Sequence, residues 1–257
     1  MRAMKTASVG LVVTSPPYNI GIDYASYDDT MARPEYLEWC RSWMREIFRV
    51  LKADGSFFLN VSGSPKEPLF PHQMAFLAVE CGWKIQNTFH WVKSVSVPAP
   101  EGGVLSVGHF KPINSNRFVN DCHEYVFHLT KTGAVPIERL ALGVPYQDKS
   151  NVTRWATNGS GRDKRCRGNV WFIPYKTIQS AKDRPHPASF PEGLVENCLK
   201  IAGATPQTVV MDPFLGIGTS ALAAKAFGTR RFTGFEIDKE YLAVAKKALK
   251  SLRRTRA

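Results

Sequence analysis

The sequence predicts an α/β fold with a mostly parallel sheet and one antiparallel hairpin, and three observations carry that prediction. Val9-Gly10-Leu11-Val12-Val13 and Thr208-Val209-Val210-Met211-Asp212 are short runs rich in β-branched residues, without polar alternation, as strands buried on both faces require. Stretches with apolar residues at three- and four-residue steps, long enough for helices, separate these and similar runs. Glycine and proline punctuate the joints, so strands and helices alternate along the chain as in a layered α/β domain.

The bulk properties bound the rest. With 257 residues, 44% hydrophobic and 22% charged, the chain suits one domain (1–257) carrying an irregular insertion. A net charge of +12 favours a polyanionic partner, nucleic acid first and an anionic membrane surface second. No apolar run approaches the roughly 20 residues of a spanning helix, and no charged-then-apolar leader opens the chain. Cys40, Cys81, Cys122, Cys166 and Cys198 are scattered and odd in number, which argues for reduced thiols in a cytoplasmic protein and against a disulfide frame or a metal site.

Taken in order, the Val9–Val13 strand must stop at Thr14 or Ser15, because Pro16 and Pro17 lack the N–H of a ladder. Asn19 to Thr30 is a turn-rich loop with tyrosines. From Pro34 to Leu51, Tyr36, Leu37, Trp39, Cys40, Trp43, Met44, Ile47, Phe48 and Leu51 mark an amphipathic helix that Asp54-Gly55 stops. A strand at Ser56–Val61, a helix at His72–Cys81 and a strand at Lys84–Val92 follow. Residues 93–120 read as a long loop or hairpin excursion, and His123–Leu129 returns as a strand beside the one ending near Val92. Residues 132–183 have the weakest pattern. Arg154, Arg162, Lys164, Arg165 and Arg167 lie there among Trp155, Trp171, Phe172, Tyr175 and glycines, either a nucleic-acid-contacting surface or a solvated loop. Helix Glu192–Ile201, strand Thr208–Asp212, helix Ser220–Phe227 capped by Gly228, strand Phe232–Asp238 and a basic-ended helix Lys239–Leu252 complete the chain.

Two turns carry candidate chemistry. Thr14-Ser15-Pro16-Pro17-Tyr18 is a stiff strand exit with a hydroxyl, exposed carbonyls and an aromatic ring, suited either to gripping a flat polar ligand or to ordinary packing. In Asp212-Pro213-Phe214-Leu215-Gly216-Ile217-Gly218-Thr219, the glycines let backbone approach a ligand, and Glu236 on the next strand stands where nucleotide-binding folds place an acid for ribose hydroxyls. Ala221 breaks the G-x-G-x-x-G dinucleotide fingerprint.

Together these turns resemble the motifs of the exocyclic-amino DNA methyltransferases, and their order resembles the β subgroup, whose catalytic motif precedes its cofactor motif. Arg49–Gly55, His123–Phe127, Asn169–Pro174 and His186–Pro191 extend the resemblance over nearly the whole chain. It implies a Rossmann-like class I methyltransferase fold with circularly permuted motif order, and methyl transfer from S-adenosyl-L-methionine to N4 of cytosine or N6 of adenine in double-stranded DNA. Ser15 and the Pro16 carbonyl would accept the amine's N–H bonds, Pro17 would stiffen the turn, and Tyr18 would stack on a base flipped from the duplex. Asp212, Phe214, Gly216, Gly218, Thr219 and Glu236 would hold the cofactor, with Ser189 and Phe190 at its methionine end. No metal is needed. Arg154, Arg162, Lys164, Arg165 and Arg167 would contact DNA. The Ser-Pro-Pro-Tyr form is associated with cytosine and Asp-Pro-Pro-Tyr with adenine, so cytosine leads.

The chain departs from that pattern in two ways. No Asp or Glu precedes Asp23, so the acidic motif that usually contacts the cofactor's adenine is not found upstream of the catalytic turn. The recognition region is modest, which suggests a homodimer; a cognate restriction enzyme, or an orphan enzyme without one, fits equally. Rival readings are an RNA or protein-amide N-methyltransferase and a catalytically silent DNA-binding relative.

Overall fold

The computed structural model describes residues 1–24, 26–98, 104–108, 115–154, 163–175 and 189–252. Strand β1 (Val9–Thr14) is followed by α1 (Arg33–Val50), β2 (Leu51–Val61), α2 (Phe70–Glu80), β3 (Lys84–Pro98), β4 (Val104–Gly108) and β5 (His123–Thr130). Then come α3 (Ser150–Arg154), β6 (Val170–Tyr175), α4 (Glu192–Ile201), β7 (Val209–Asp212), α5 (Thr219–Phe227), β8 (Arg231–Gly234) and α6 (Lys239–Ser251). The sheet order is β4-β3-β5-β2-β1-β7-β8, with β6 also paired to β3.

β1 lies at the centre because both its faces are apolar. Its neighbours β2 and β7 run parallel to it, Val12 standing beside Phe57 and Met211. Val9 and Val12 pack with Tyr36, Cys40, Trp43, Met44 and Ile47 of α1, while Leu11 and Val13 pack on the other face with Leu194, Val195 and Cys198 of α4. α1 therefore buries the stripe its periodicity marked. Its basic last turn also binds the amino end, the Arg49 guanidinium donating to the Met1 and Met4 carbonyls. β7 and β8 continue the parallel half, and β5 pairs antiparallel with β2 and β3, the latter pairing as expected from the sequence.

Three element readings are corrected. Asp54-Gly55 does not stop α1; the helix ends at Val50 and both residues lie in β2. There the register slips from Val9–Leu51 to Leu11–Ser56, and a Cβ on Gly55 would stand 2.7 Å from Leu51 Cγ, so glycine serves a bulge. The strand from Phe232 ends at Gly234 rather than Asp238, since β7 itself ends at Asp212 and the Phe235 carbonyl accepts from Leu215 of the glycine turn. The stretch 132–183 is not wholly irregular: Val170–Tyr175 forms β6, parallel to β3, with Trp171 stacked on Phe89 at 4.3 Å. The excursion at 93–120 includes the β3–β4 hairpin. Among the described residues no helix is long and apolar enough to cross a membrane.

Candidate active site

The chain leaves β1 toward β2 on one side and leaves β7 toward β8 on the other. Where neighbouring strands send their connections apart, a crevice opens at their carboxyl ends, the usual ligand site of an open α/β sheet. Ser15-Pro16-Pro17-Tyr18 leaves one lip and Pro213 to Thr219 the other.

A buried clasp joins the lips. Thr14 Oγ1 donates to Asp212 Oδ1 at 2.5 Å, Ser220 Oγ donates to Oδ2 at 2.5 Å, and the Phe214 N–H donates to Oδ1 at 2.9 Å. Asp212 is 1% exposed, and burial pushes its carboxyl up to about 6 despite these donors. This carboxylate, expected to contact the cofactor, holds β1, the glycine turn and α5 in register.

The catalytic turn is fixed from behind. Tyr36 Oη donates to the Pro17 carbonyl at 2.7 Å, whereas among the described residues nothing donates to the Pro16 carbonyl. Beyond it, the Asp29 carboxylate accepts the N–H groups of Asn19, Ile20 and Ile22 and organises the following loop. The Tyr18 hydroxyl is turned inward, 2.8 Å from Ser15 Oγ and 3.3 Å from Glu124 Oε2. Burial first and the Glu124 charge second hold that phenol well above its usual range. Asn60 Nδ2 donates to Glu124 Oε2 at 2.6 Å, and Lys93 pairs with Oε1 at 2.9 Å.

Asn60, Glu124 and Lys93 were not singled out from the sequence. The available signals were an asparagine ending the apolar run Phe57-Phe58-Leu59 and an acid at the start of β5. Only the antiparallel placement of β5 against β2 brings that acid to the carboxyl ends of the parallel strands.

On the other lip, Gly216 and Gly218 take φ of 54° and 91°, and Gly218 precedes α5 in the left-handed conformation. A Cβ at Gly218 would stand 2.8 Å from the Ala245 Cβ of α6. Glu236 accepts the Gly216 N–H at 2.6 Å and the Asp238 N–H at 2.9 Å while remaining half-buried. Asp238 caps α6, accepting from Glu240 and Tyr241, and receives Ser26 Oγ at 2.7 Å, which ties the loop after the catalytic turn to this lip. Phe214 stands against Trp39 and Trp43, with centroids at 5.5 and 5.4 Å. Beside this group Tyr27 Oη and Trp43 Nε1 are buried without a partner among the described residues, so polar positions remain for a flat heteroaromatic ligand. The close-approach glycines, the half-buried acid and these polar positions fit a nucleoside-bearing cofactor.

Thr219 is half-buried at the first residue of α5. Ser189 is exposed, and Phe190 packs against the core cluster under α4. Arg154, Lys164, Arg165 and Arg167 are all exposed; Arg162 lies outside the described residues. Among the described residues no three side chains form a metal-ligating group.

A sequence profile of the N6/N4 type, described as DNA methylase, matches residues 9–247. The type II methyltransferase M.ScaI of Streptomyces caespitosus is 31% identical over 251 residues, covering 95% of this chain and 76% of its own. The DNA adenine methyltransferase YhdJ of Escherichia coli (strain K12) is 26% identical over 264 residues, covering 97% and 79%. The solved PvuII cytosine-N4-specific DNA methyltransferase superposes with a TM-score of 0.69 at 20% identity, over all of this chain and 84% of its own, a likeness of fold.

Proposed function

The chain belongs to the N6/N4 DNA methylase family, and we propose that within it the enzyme methylates N4 of cytosine ahead of N6 of adenine. Its substrate is DNA and its cofactor S-adenosyl-L-methionine, which supplies an electrophilic methyl group on a sulfonium sulfur. Carrying the base assignment is Ser15, a neutral hydroxyl at the head of the catalytic turn, held 2.8 Å from Tyr18. The PvuII enzyme, cytosine-specific by name, supports the same base; the likeness to YhdJ, an adenine enzyme by name, favours the second reading, N6 of adenine.

The exocyclic nitrogen is a weak nucleophile because its lone pair is delocalised into the ring. Ser15 Oγ and the Pro16 carbonyl accept its two N–H bonds and favour a pyramidal nitrogen with its lone pair free. Proline suits that place because its φ is locked, so the acceptor is aimed before the base arrives. Tyr18, its hydroxyl anchored inside, offers its ring to a base flipped from the duplex. Glu236 takes the ribose hydroxyls, and Gly216, Gly218, Phe214 and Thr219 line the cofactor turn that Asp212 holds in place.

The segment 132–183 with the 93–120 hairpin forms the recognition region, and exposed Arg154, Lys164, Arg165 and Arg167 meet phosphate. Its small size calls for a homodimer on DNA, which light scattering of the protein–DNA complex tests; a single copy per site overturns it. The free cysteines suit a reducing cytoplasm. The deciding experiment is incubation of the purified enzyme with duplex DNA and methyl-labelled cofactor, followed by nucleoside mass spectrometry. N4-methylcytosine is expected. N6-methyladenine alone would reverse the base, and label in rRNA or protein but not in DNA would overturn the substrate.

A further inference from the structure

Methylation of an amino nitrogen makes one N–C bond and breaks one N–H bond. The carbon–sulfur electron pair stays with sulfur, so a proton must leave the amine. Ser15 and the Pro16 carbonyl can accept hydrogen bonds but cannot hold that proton at neutral pH, and a base has to stand behind them.

The side chains behind Ser15 form a continuous path to one carboxylate. Ser15 Oγ and Tyr18 Oη are 2.8 Å apart and either can donate; Tyr18 Oη stands 3.3 Å from Glu124 Oε2 and equally 3.3 Å from the Asn60 carbonyl, both of which accept from it. We propose that Glu124 is the terminal acceptor of the target amine's proton, delivered through the Ser15 and Tyr18 hydroxyls; this rests on the reading of Ser15 as the amine's acceptor. Each hydroxyl gives up one proton as it takes another, so the charge moves while Ser15 and Tyr18 end as they began. Glu124 ends protonated, and its 12% exposed side chain, paired with the 22% exposed Lys93, returns the proton to water.

Three features fit a relay rather than a scaffold alone. Tyr18 holds its own proton too firmly to store a vacancy, so it transmits. Asn60 Nδ2 donates to Glu124 Oε2 at 2.6 Å and to Tyr18 Oη at 3.2 Å, which fixes the two ends of the second link. Lys93 pairs with Oε1, which leaves Oε2 facing the phenol. The 3.3 Å link is long, as catalytic hydrogen bonds often are before substrate binds. Glu124 itself touches no substrate atom and acts through its neighbours.

A structural role and a relay make different predictions for Glu124→Gln, because glutamine keeps the shape and can still accept from Tyr18 but takes up no proton. The relay predicts a fall of about a hundredfold in single-turnover rate, within the range of general-base effects, and loss of the acidic limb of the pH–rate profile. Cofactor and DNA binding by titration stay near wild type. Glu124→Asp recovers part of the rate. Tyr18→Phe, which keeps the ring, loses a similar factor, and Tyr18→Phe/Glu124→Gln is no slower than either single variant. Independently of turnover, the Tyr18 resonance in fluorotyrosine-labelled protein, assigned by its loss in Tyr18→Phe, shifts in Glu124→Gln. A Glu124→Gln enzyme with wild-type rate and pH profile, multiplicative losses in the double variant, or an unmoved Tyr18 resonance would each overturn the proposal. Full activity in Ser15→Ala is a separate outcome, removing the reading of Ser15 on which the relay stands.

Discussion

Asp212 and His128 are buried titratable side chains pushed in ways that set opposite pH dependences. The Asp212 carboxyl rises from 3.8 to about 6 because burial disfavours its charge. Its stabilising contribution is therefore complete below pH 3.8 and lost as pH rises through 6. His128, stacked on Phe58 at 4.6 Å and hydrogen-bonded by Asn87 and Ser56, falls from 6.5 to about 4 through burial. Its contribution is complete above pH 6.5 and lost as pH falls through 4. Each shift is worth on the order of 3 kcal/mol, so between pH 4 and 6 the two nearly cancel. Urea unfolding should then show that Asp212→Asn loses stability as pH drops from 6.5 to 4, whereas His128→Gln loses it as pH rises from 4 to 6. Parallel profiles in the two variants would mean that neither group titrates as its burial demands. A second outcome belongs to the clasp: Thr14→Val leaves a buried acceptor short of one donor, costing about 1–3 kcal/mol, and should lower cofactor affinity because the glycine turn hangs from the same carboxylate.

Among the elements, the glycine turn and α5 depend on a close approach that can be measured against an internal control. Gly218 and Gly228 both adopt left-handed φ, 91° and 99°, at the two ends of α5. An added Cβ meets Ala245 at 2.8 Å in the first case and nothing within 4 Å in the second. Left-handed strain of about 1–2 kcal/mol is common to both, and overpacking adds about 1–3 kcal/mol to Gly218→Ala alone. Gly218→Ala should thus unfold at a clearly lower temperature than Gly228→Ala and bind cofactor more weakly, since pushing α6 away disturbs Asp238 and, through it, Glu236. Equal losses would show that α6 yields freely. The elements legible in the sequence were those whose own pattern decides them: α1 from its apolar stripe, and β7, α5 and α6 from a buried run, glycine caps and periodicity. β6 was not, because its alternation of buried Trp171 and Ile173 with exposed Val170 and Phe172 has meaning only once β3 is beside it.

At the scale of the whole molecule, what could be read was what lies in one turn, and what could not was what the sheet assembles. Ser15 to Tyr18 and Phe214 to Gly218 are contiguous and announce themselves by proline and glycine. The Asp212 carboxylate is visible at a strand end, but its partners Thr14, distant in sequence, and Ser220 are not. Glu124 and Asn60 join the site from β5 and β2 through an antiparallel pairing that local pattern does not fix. The net charge of +12 is also a whole-molecule property, and it makes a quantitative demand. Arg154, Lys164, Arg165 and Arg167 are exposed, and of these only Arg165 lies in an isolated β-bridge, with Val144, made through backbone rather than guanidinium. If all meet phosphate, each displaces condensed counterions and adds about 0.9 to the slope of log affinity against log salt. Replacing all four with alanine should flatten that slope by about 3 to 4, measured by fluorescence anisotropy on duplex DNA, and should weaken binding alike on every sequence. Because neither lip of the crevice is touched, the methyl-transfer rate on saturating DNA should stay near wild type. A slope that does not change would place the DNA elsewhere on the basic surface and remove residues 154–167 from the interface.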